Sequence, residues 1–330
     1  GKTDSTDAIQ NFFTNAIWKQ LNNTSGYVQS QSPPVIYFPY GIYKISRPII
    51  TRPLLNIIGE SAIINNVGDA YSFICTNATK IQIRGINFVG GHGGIWIENA
   101  NTDSSVFSIE HCNFDNIQGS AICAFPIAPS THLSSILKIA NCRIRTSTRA
   151  VDSYCDLTNI EESWIQWGNH PNESCFNNYH GRMSFNRCML VPNGIVTPCS
   201  QYWIRNFESL FAYMTRFSGE QAGIPIVIHD SKSSINPINH MGGDICFDSC
   251  QLSSGNANNV KSATITLAGC PSLISIERCN GIVDCPIITD SGDGYNVAST
   301  MNPPPKIRIG INQIWPNSIR IPDNFKQFLA

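Results

Sequence analysis

Residues 109–114 read Ile-Glu-His-Cys-Asn-Phe, and the chain repeats this pattern as Ile-Ala-Asn-Cys-Arg-Ile over 139–144. Both copies place a small residue three positions after an apolar one, and a bulky apolar residue two positions further on. Related copies cover 83–88, 160–165, 185–190, 213–217, 247–252 and 276–279, and from Gly85 to Cys279 their small residues are Gly, Cys, Cys, Ser, Cys, Thr, Cys and Cys. A period of about 28 residues indicates a repeat architecture.

A second pattern follows the copies after polar loops, and consists of a small residue and then a short β-rich run. These runs lie near 121–123, 150–152, 175–177, 194–196, 224–228, 264–267 and 286–288. Short apolar runs bounded by Gly, Asn and Ser predict strands. About three strands in each repeat predict one coil of a parallel β-solenoid. The Cys, Ser and Thr column is then expected to face inward and to stack from coil to coil, where strands are roughly 4.8 Å apart.

The two ends of the chain differ from the repeat. Asp4-Ser5-Thr6-Asp7 precedes apolar residues at helical spacing, which predicts a capped amphipathic α-helix of about four turns. Such a helix would cover the open end of the solenoid, which otherwise offers unpaired strand edges. We therefore expect a capping segment over 1–25, the all-β solenoid over 26–295 and a proline-bearing tail over 296–330.

Composition narrows the function classes. Charged residues make up 14% of the 330 residues, and 22 basic against 23 acidic side chains leave a net charge of −1. A chain with this balance has little to neutralise a phosphate backbone, so nucleic acid is not an expected partner. The sequence contains no run of 18 apolar residues, so it predicts no membrane span. The 13 cysteines contain no CxxC pair and no zinc spacing, so we expect free buried thiols, no metal and no cofactor.

The N-terminal sequence resembles a known superfamily. Residues 1–13, GKTDSTDAIQNFF, together with Val35-Ile36-Tyr37-Phe38-Pro39-Tyr40-Gly41-Ile42-Tyr43-Lys44-Ile45-Ser46 and 55–60, are similar to the start of pectate-lyase-like proteins. The resemblance implies a right-handed, single-stranded parallel β-helix of the kind found in polysaccharide lyases, glycoside hydrolases, epimerases and phage tailspikes. Residues 217–227 are similar to a stretch of tailspike β-helices, which implies a homotrimer located on a virion. Secretion to the cell exterior is the alternative location.

The sequence lacks the motifs of two specific subfamilies. Gly91-His92-Gly93 and Asn101-Thr102-Asp103 occur in the reverse of the polygalacturonase order, and the chain has no Asp-Asp pair. The Arg-Pro pairs at 47–48 and 52–53 lie in the first coil, away from the groove of a pectate lyase. The resemblance therefore indicates the fold more specifically than the reaction.

The candidate site is predicted on the outward face of the sheet that the second pattern forms, with the loops before it. Hydrolysis of a glycosidic bond needs two carboxylates, and four residues are proposed to supply them: Asp152 and Glu173, or Glu220 and Asp230. Sugar contacts are predicted for Arg149, Tyr154, Trp167, His170, Asn177, Tyr179 and His229. Elimination would instead need a base and a cation to neutralise a uronate, for which Tyr179, His180, Arg182 and Arg149 are the alternatives.

These observations predict a depolymerase of an extracellular or capsular polysaccharide, with hydrolysis favoured because the face holds more carboxylates than lysines or arginines. Two alternatives stay open: a secreted polysaccharide lyase, and a β-helix that binds glycan or builds an appendage without cleaving it.

Overall fold

The chain folds as a right-handed parallel β-helix with a short N-terminal helix, as the sequence predicted. The computed structural model describes residues 3–17, 35–51, 54–99, 105–126, 135–168, 172–193, 202–218, 224–230, 243–253, 264–269, 271–281, 287–290, 304–310, 313–314, 321 and 323–330. Among these described residues, the structure contains no helix that is long and apolar enough to cross a membrane.

Most described residues lie in short strands. The first nine are β1 (Val35–Phe38), β2 (Ile42–Ile45), β3 (Ile49–Thr51), β4 (Leu54–Asn66), β5 (Tyr71–Ala78), β6 (Lys80–Gly90), β7 (Gly93–Asn99), β8 (Ser105–Glu110) and β9 (Asn113–Ile117). The next ten are β10 (Ser120–Pro126), β11 (Ser135–Ala140), β12 (Arg143–Thr146), β13 (Arg149–Glu161), β14 (Trp164–Trp167), β15 (Phe176–Asn186), β16 (Met189–Pro192), β17 (Ile204–Asn206), β18 (Ser209–Tyr213) and β19 (Arg216–Ser218). The last nine are β20 (Val227–His229), β21 (Asp244–Asp248), β22 (Gln251–Ser253), β23 (Ile265–Leu267), β24 (Leu273–Glu277), β25 (Asn280–Gly281), β26 (Ile288–Asp290), β27 (Lys306–Ile309) and β28 (Gln313–Ile314).

Parallel pairing arranges these strands into three sheets, and each coil visits them in the same order. Sheet 1 contains the whole of β3, β5, β7, β10, β17, β20, β23 and β26, together with the first halves of β13 and β15. Sheet 2 contains the whole of β1, β8, β11, β18, β21, β24 and β27. It also contains the first halves of β4 and β6 and the second halves of β13 and β15. Sheet 3 contains the whole of β2, β9, β12, β14, β16, β19, β22, β25 and β28, together with the second halves of β4 and β6. The pairing thus continues past residue 295, the predicted end of the β-helix.

The corner between sheets 2 and 3 is the recurring sequence motif. From β8 to β25, each described passage from sheet 2 to sheet 3 uses two residues. The first has a positive φ, as at His111, Asn141, Glu162, Arg187, Met214, Ser249 and Arg278. The second is buried and small, as at Cys112, Cys142, Ser163, Cys188, Thr215, Cys250 and Cys279. A left-handed residue followed by a small inward one turns the chain sharply without a loop.

Hydrogen bonds explain why the second corner position selects Cys, Ser and Thr. Ser163 Oγ accepts the backbone N–H of Cys142 at 3.0 Å, and Thr215 Oγ1 accepts that of Cys188 at 3.2 Å. The Sγ of Cys188 lies 3.2 Å from the carbonyl oxygen of Ile160 in the preceding coil. A short side chain with one donor and one acceptor thus satisfies backbone groups that the turn leaves buried. The predicted stacking of this column is confirmed.

Two details of the sequence prediction differ from the structure. Gly85 does not belong to the small inward column, because it occupies the first corner position with a φ of 72°. A Cβ there would stand 2.2 Å from the carbonyl oxygen of Gly59, so close approach of the coils favours glycine at this site. The N-terminal α-helix α1 (Thr6–Phe12) continues as a π-helical turn (Phe13–Ile17), and the rest of the predicted four turns lies outside the described residues.

The core lies between the three sheets and is closed at its N-terminal end by α1. Ile9 and Phe13 bury their side chains against the first coils, and Ser5 N donates to the carbonyl oxygen of Lys44 at 2.7 Å. A 3-10 helix (Asp323–Phe328) buries Phe325 near β27 at the other end. The ten cysteines of the described ranges are all free thiols, and nine of them are buried. This pattern agrees with the expected role of cysteine as a small core residue.

Candidate functional site

Asp152 lies on the outward side of sheet 1, yet its carboxylate is buried. Parallel register places it between Cys123 of β10 and Asn177 of β15. Asn177 Nδ2 donates to Asp152 Oδ1 at 2.6 Å, and the Ser120 hydroxyl donates to Oδ2. Neighbouring coils therefore provide a polar cradle for one acidic side chain.

Arg149 connects Asp152 to a second carboxylate. Its Nε lies 3.2 Å from Asp152 Oδ2, and its Nη1 lies 3.8 Å from Glu173 Oε2. Two contacts to one guanidinium keep the two carboxylate oxygens within about 9 Å of each other. The exposed fraction of the side chain is 4% for Asp152, 25% for Arg149 and 38% for Glu173. The pair thus combines one buried and one accessible carboxylate, no further apart than the upper limit for glycoside hydrolysis.

The environment of Asp152 makes its carboxyl easier to protonate than an ordinary aspartate, because its pKa is raised. Burial raises the pKa of this carboxyl, and the Arg149 charge and the hydrogen bonds from Ser120 and Asn177 oppose the rise without cancelling it. A carboxyl with a raised pKa close to a solvent-exposed carboxylate is a recurrent arrangement for an acid and its partner base. Asp152 is therefore suited to hold a proton, and Glu173 is suited to meet water or substrate.

Two tyrosines border this cluster, and both are held as phenols. Burial, followed by the Asp152 charge, raises the pKa of Tyr179 to about 12. Burial also raises the pKa of Tyr71 well above its usual value, and the Tyr71 hydroxyl is hydrogen-bonded to Ser120. Tyr71 and Ser120 were not predicted from the sequence. The Ser120 hydroxyl donates to Asp152, whereas Tyr71 is hydrogen-bonded to Ser120, and neither tyrosine is suited to act as a base at neutral pH.

Aromatic rings form a row along the coil axis beside the cluster. The rings of Trp96 and Phe125 stack with centroids 6.2 Å apart, and those of Tyr179 and Phe207 stack at 5.4 Å. Phe125 lies 5.3 Å from Tyr179 and joins the two pairs. Neighbouring rings of each stacked pair cover part of each other's faces. The row forms an apolar border rather than a set of open stacking platforms.

A second polar cluster surrounds His180 at the bend from sheet 1 to sheet 2. Its Nδ1 lies 2.8 Å from Glu208 Oε1, and its Nε2 lies 2.9 Å from Asp156 Oδ1. The hydrogen bond with Glu208 is the largest cause of a raised pKa for His180, with burial acting in the opposite direction. The Tyr154 ring stacks on this imidazole at 5.1 Å. Both ring nitrogens are engaged, so His180 is a link between coils rather than an available base.

The structure brings some of the predicted site residues together and separates others. Arg149, Asp152, Glu173, Asn177 and Tyr179 form one cluster. Asp230 belongs to a different coil and pairs with Arg205 at 3.0 Å. Tyr154 faces the same side as Asp152, but Phe125 and His180 cover its ring. Glu220 and His170 lie outside the described residues.

Two predicted orientations are wrong. His229 points into the core, because its register partners Asn206 and Leu267 belong to the inward row of sheet 1. Trp167 is the last residue of β14 and lies on the same inward side as Ile165, fully buried. Its Nε1 donates to the carbonyl oxygen of Thr148 at 2.6 Å, and its ring packs against Trp203. Neither side chain reaches the outer face.

Within the residues that the structure describes, no group of three His, Cys, Asp or Glu side chains could hold a metal ion.

Comparison with known proteins identifies one family. The model of the family described as rhamnogalacturonase A/epimerase, pectate lyase-like, matches residues 1–180. No curated protein matches this chain. Two similar solved structures are ORF18 of Geobacillus virus E2 and the surface protein and adhesin PfbA of Streptococcus pneumoniae. The first has a TM-score of 0.33 at 12% identity and is covered over 59% of its length by 95% of this chain. The second has a TM-score of 0.33 at 12% identity, with 94% of each chain covered. The chain thus spans less than two thirds of the length of the viral protein.

Proposed function

Because this chain belongs to the rhamnogalacturonase A/epimerase, pectate lyase-like family, we propose that it depolymerises an extracellular or capsular polysaccharide by hydrolysing glycosidic bonds on sheet 1. The observation that carries the proposal is the Asp152–Arg149–Glu173 cluster, in which a buried carboxyl and an exposed carboxylate share one guanidinium. Asp152 would donate a proton to the departing sugar oxygen. Glu173 would activate water or attack the sugar carbon, and Arg149 would orient both carboxylates.

Hydrolysis is favoured over elimination by the state of the candidate bases. The pKa of Tyr179, raised to about 12, keeps its phenol protonated at neutral pH. His180 is held between Asp156 and Glu208, and the guanidinium of Arg182 lies 5.4 Å from the ring of Phe211 on sheet 2. Of the residues considered for elimination, Tyr179 and Arg149 lie in the cluster, and neither the protonated phenol nor the guanidinium is suited to act as a base. A lyase would need a base that these described residues do not offer.

Glycan binding without cleavage is the second candidate, and one observation favours it. Both oxygens of Asp152 already accept hydrogen bonds, and only 4% of its side chain is exposed. For catalysis, the substrate must therefore reach Asp152 past Arg149 or displace the Ser120 hydroxyl. In the binding candidate, Asp152 instead holds Arg149 in place as a sugar contact. Location on a virion or outside a cell, and assembly into a homotrimer, belong to the proposal in either form.

The test is a panel of capsular and plant polysaccharides incubated with the full chain, followed by measurement of new reducing ends and of absorbance from unsaturated products. We expect reducing ends without unsaturated products. Asp152→Asn and Glu173→Gln should each lower the rate at least about a hundredfold, which is the usual loss when a general acid or base is removed. Glu220→Gln tests the other predicted carboxylate in the same assay.

Glu162→Gln is the matched control, because Glu162 is an exposed carboxylate that pairs with Arg187 at the corner between sheets 2 and 3. Unsaturated products would overturn hydrolysis, and near-full activity of both Asp152→Asn and Glu173→Gln would move the site elsewhere. Binding of a glycan without any cleavage would support the second candidate.

A further inference from the structure

The outer face of sheet 3 carries a depression, separate from the sheet 1 cluster, in which charged and amide side chains surround apolar residues. It has a volume of about 240 Å³ and is lined by strands β6, β9 and β12. Its lining side chains include Asn87, Asn113, Asp115, Arg143 and Arg145. This volume is below the roughly 300–1,000 Å³ of pockets that enclose drug-sized ligands, and so suits one ring-sized group rather than a long oligomer.

The two arginines of the depression differ in their partners. Arg145 forms a bidentate pair with Asp115, with Nε–Oδ1 at 2.9 Å and Nη2–Oδ2 at 3.0 Å. Arg143 is exposed and has no carboxylate partner among the described residues; its guanidinium instead lies 4.3 Å from the centre of the Trp164 ring. One acid against two arginines leaves the depression with a net positive charge, located on Arg143.

Stacking on Trp164 orients the Arg143 guanidinium. A guanidinium seated on an indole keeps its N–H edge available for a planar bidentate acceptor such as a carboxylate. Next to it in register, Asn113 Nδ2 donates to Asn87 Oδ1 at 2.5 Å, and Asn87 Nδ2 donates to the carbonyl oxygen of Ser61 at 3.0 Å. These bonds fix the Asn113 amide and leave its Oδ1 as an acceptor for a hydroxyl group.

We propose that this depression binds a uronic acid residue of a polysaccharide, with the sugar carboxylate on Arg143 and a ring hydroxyl on Asn113. A carboxylate, a hydroxyl and a ring-sized volume coincide in an acidic sugar, which matches the charge, the acceptor and the size of the depression. The site would hold an acidic glycan on a face where no cleavage is proposed. It does not depend on the hydrolytic function of sheet 1.

The test is calorimetric titration of the full chain with short oligomers of galacturonate, guluronate and glucuronate. The Glu173→Gln background prevents consumption of the oligomers on sheet 1, so a failure of the proposed hydrolysis leaves this experiment readable. Methyl-esterified galacturonate oligomers serve as neutral counterparts. We expect at least one acidic oligomer to bind, and its esterified form, where tested, to bind more weakly.

Arg143→Gln should weaken that binding roughly tenfold or more, as expected when a charge-assisted hydrogen-bonding group is lost. Trp164→Leu should also weaken it, because the guanidinium loses its support. Arg187→Gln, which removes an exposed arginine from the neighbouring corner, is the matched control and should stay within about twofold. Far-UV circular dichroism and thermal unfolding confirm that each variant is folded.

The proposal is overturned if no acidic oligomer binds, if the esterified galacturonate oligomers bind as tightly as the acidic ones, or if Arg143→Gln binds like the parent protein. An equal loss in Arg187→Gln would also overturn it, because the effect would then reflect overall charge.

Discussion

Replacing Arg149 by methionine tests the electrostatics of the sheet 1 cluster. Arg149 is the basic partner of a carboxylate whose side chain is 4% exposed, and Ser120 and Asn177 are its neutral partners. Removing one member of a buried ion pair costs 3–5 kcal/mol. Because Arg149 is itself a quarter exposed and Asp152 keeps two hydrogen bonds, we expect about 3 kcal/mol less free energy of unfolding at pH 7.

The cost should depend on pH in a defined direction. The folded-state pKa of Asp152 lies above its ordinary value of 3.8, so the folded state binds the proton more tightly than the unfolded state. Stability therefore falls as pH rises from about 3.8 through the folded-state pKa. Without Arg149 this pKa rises further, and the fall becomes larger. At pH values below the folded-state pKa of Asp152, where its carboxyl carries a proton, most of the cost should disappear.

The assay is urea unfolding followed by circular dichroism, at pH 7 and at about pH 4. Arg187→Met is the control, because its exposed pair with Glu162 should be worth at most about 1 kcal/mol. The double variant Arg149→Met/Asp152→Asn should recover much of the stability at pH 7, since the buried charge is gone. Equal costs at both pH values, or a double variant no more stable than Arg149→Met, would refute this account.

Two further predictions concern the corner column. Thr215→Val should lower the free energy of unfolding by about 1–3 kcal/mol, because the buried N–H of Cys188 loses its acceptor. Thr215→Ser should cost less than about 1 kcal/mol. Equal losses for the two variants in urea unfolding would argue against the hydrogen bond. In thiol titration, the corner cysteines should react only after denaturation, since they are buried; rapid reaction of Cys142 or Cys250 in the native protein would contradict the packing.

The corner could be predicted from the sequence because its residue types report its geometry directly. A small residue with a donor and an acceptor is needed wherever a buried turn leaves backbone groups unpaired, so Cys, Ser and Thr recur at one position. Gly85 was misassigned by one position because a small residue suits both corner positions, for different reasons.

Orientation in sheet 1 could not be predicted equally well. Residues 224–228 are almost continuously apolar, so alternation does not show which side of the strand faces the core. His229 was consequently placed on the wrong face. Trp167 was predicted to contact sugar, because four residues of mixed polarity do not show that β14 turns this side chain into the core.

The composition of the site depends on register between coils of unequal length. Ser120 and Asp152 are 32 residues apart, whereas Asn177 and Asp152 are 25 apart. Contacts at such varying separations cannot be assigned from a mean period of about 28. Asp152 and Asn177 were identified because each ends a recognisable strand run, 150–152 and 175–177. Ser120 and Tyr71 were missed because nothing in their local sequence marks them.

The two-residue corner has a consequence for how such a protein can change over time. Along the described passages from β8 to β25, the corner never lengthens, while the connections that enter and leave sheet 1 range from a continuous strand at β13 to fourteen residues between β20 and β21. An insertion at the corner would displace a buried side chain and the backbone bonds of two coils. Insertions beside sheet 1 displace neither. Evolution, or a protein engineer, can therefore change the surface around Asp152 while the corner keeps successive coils in register.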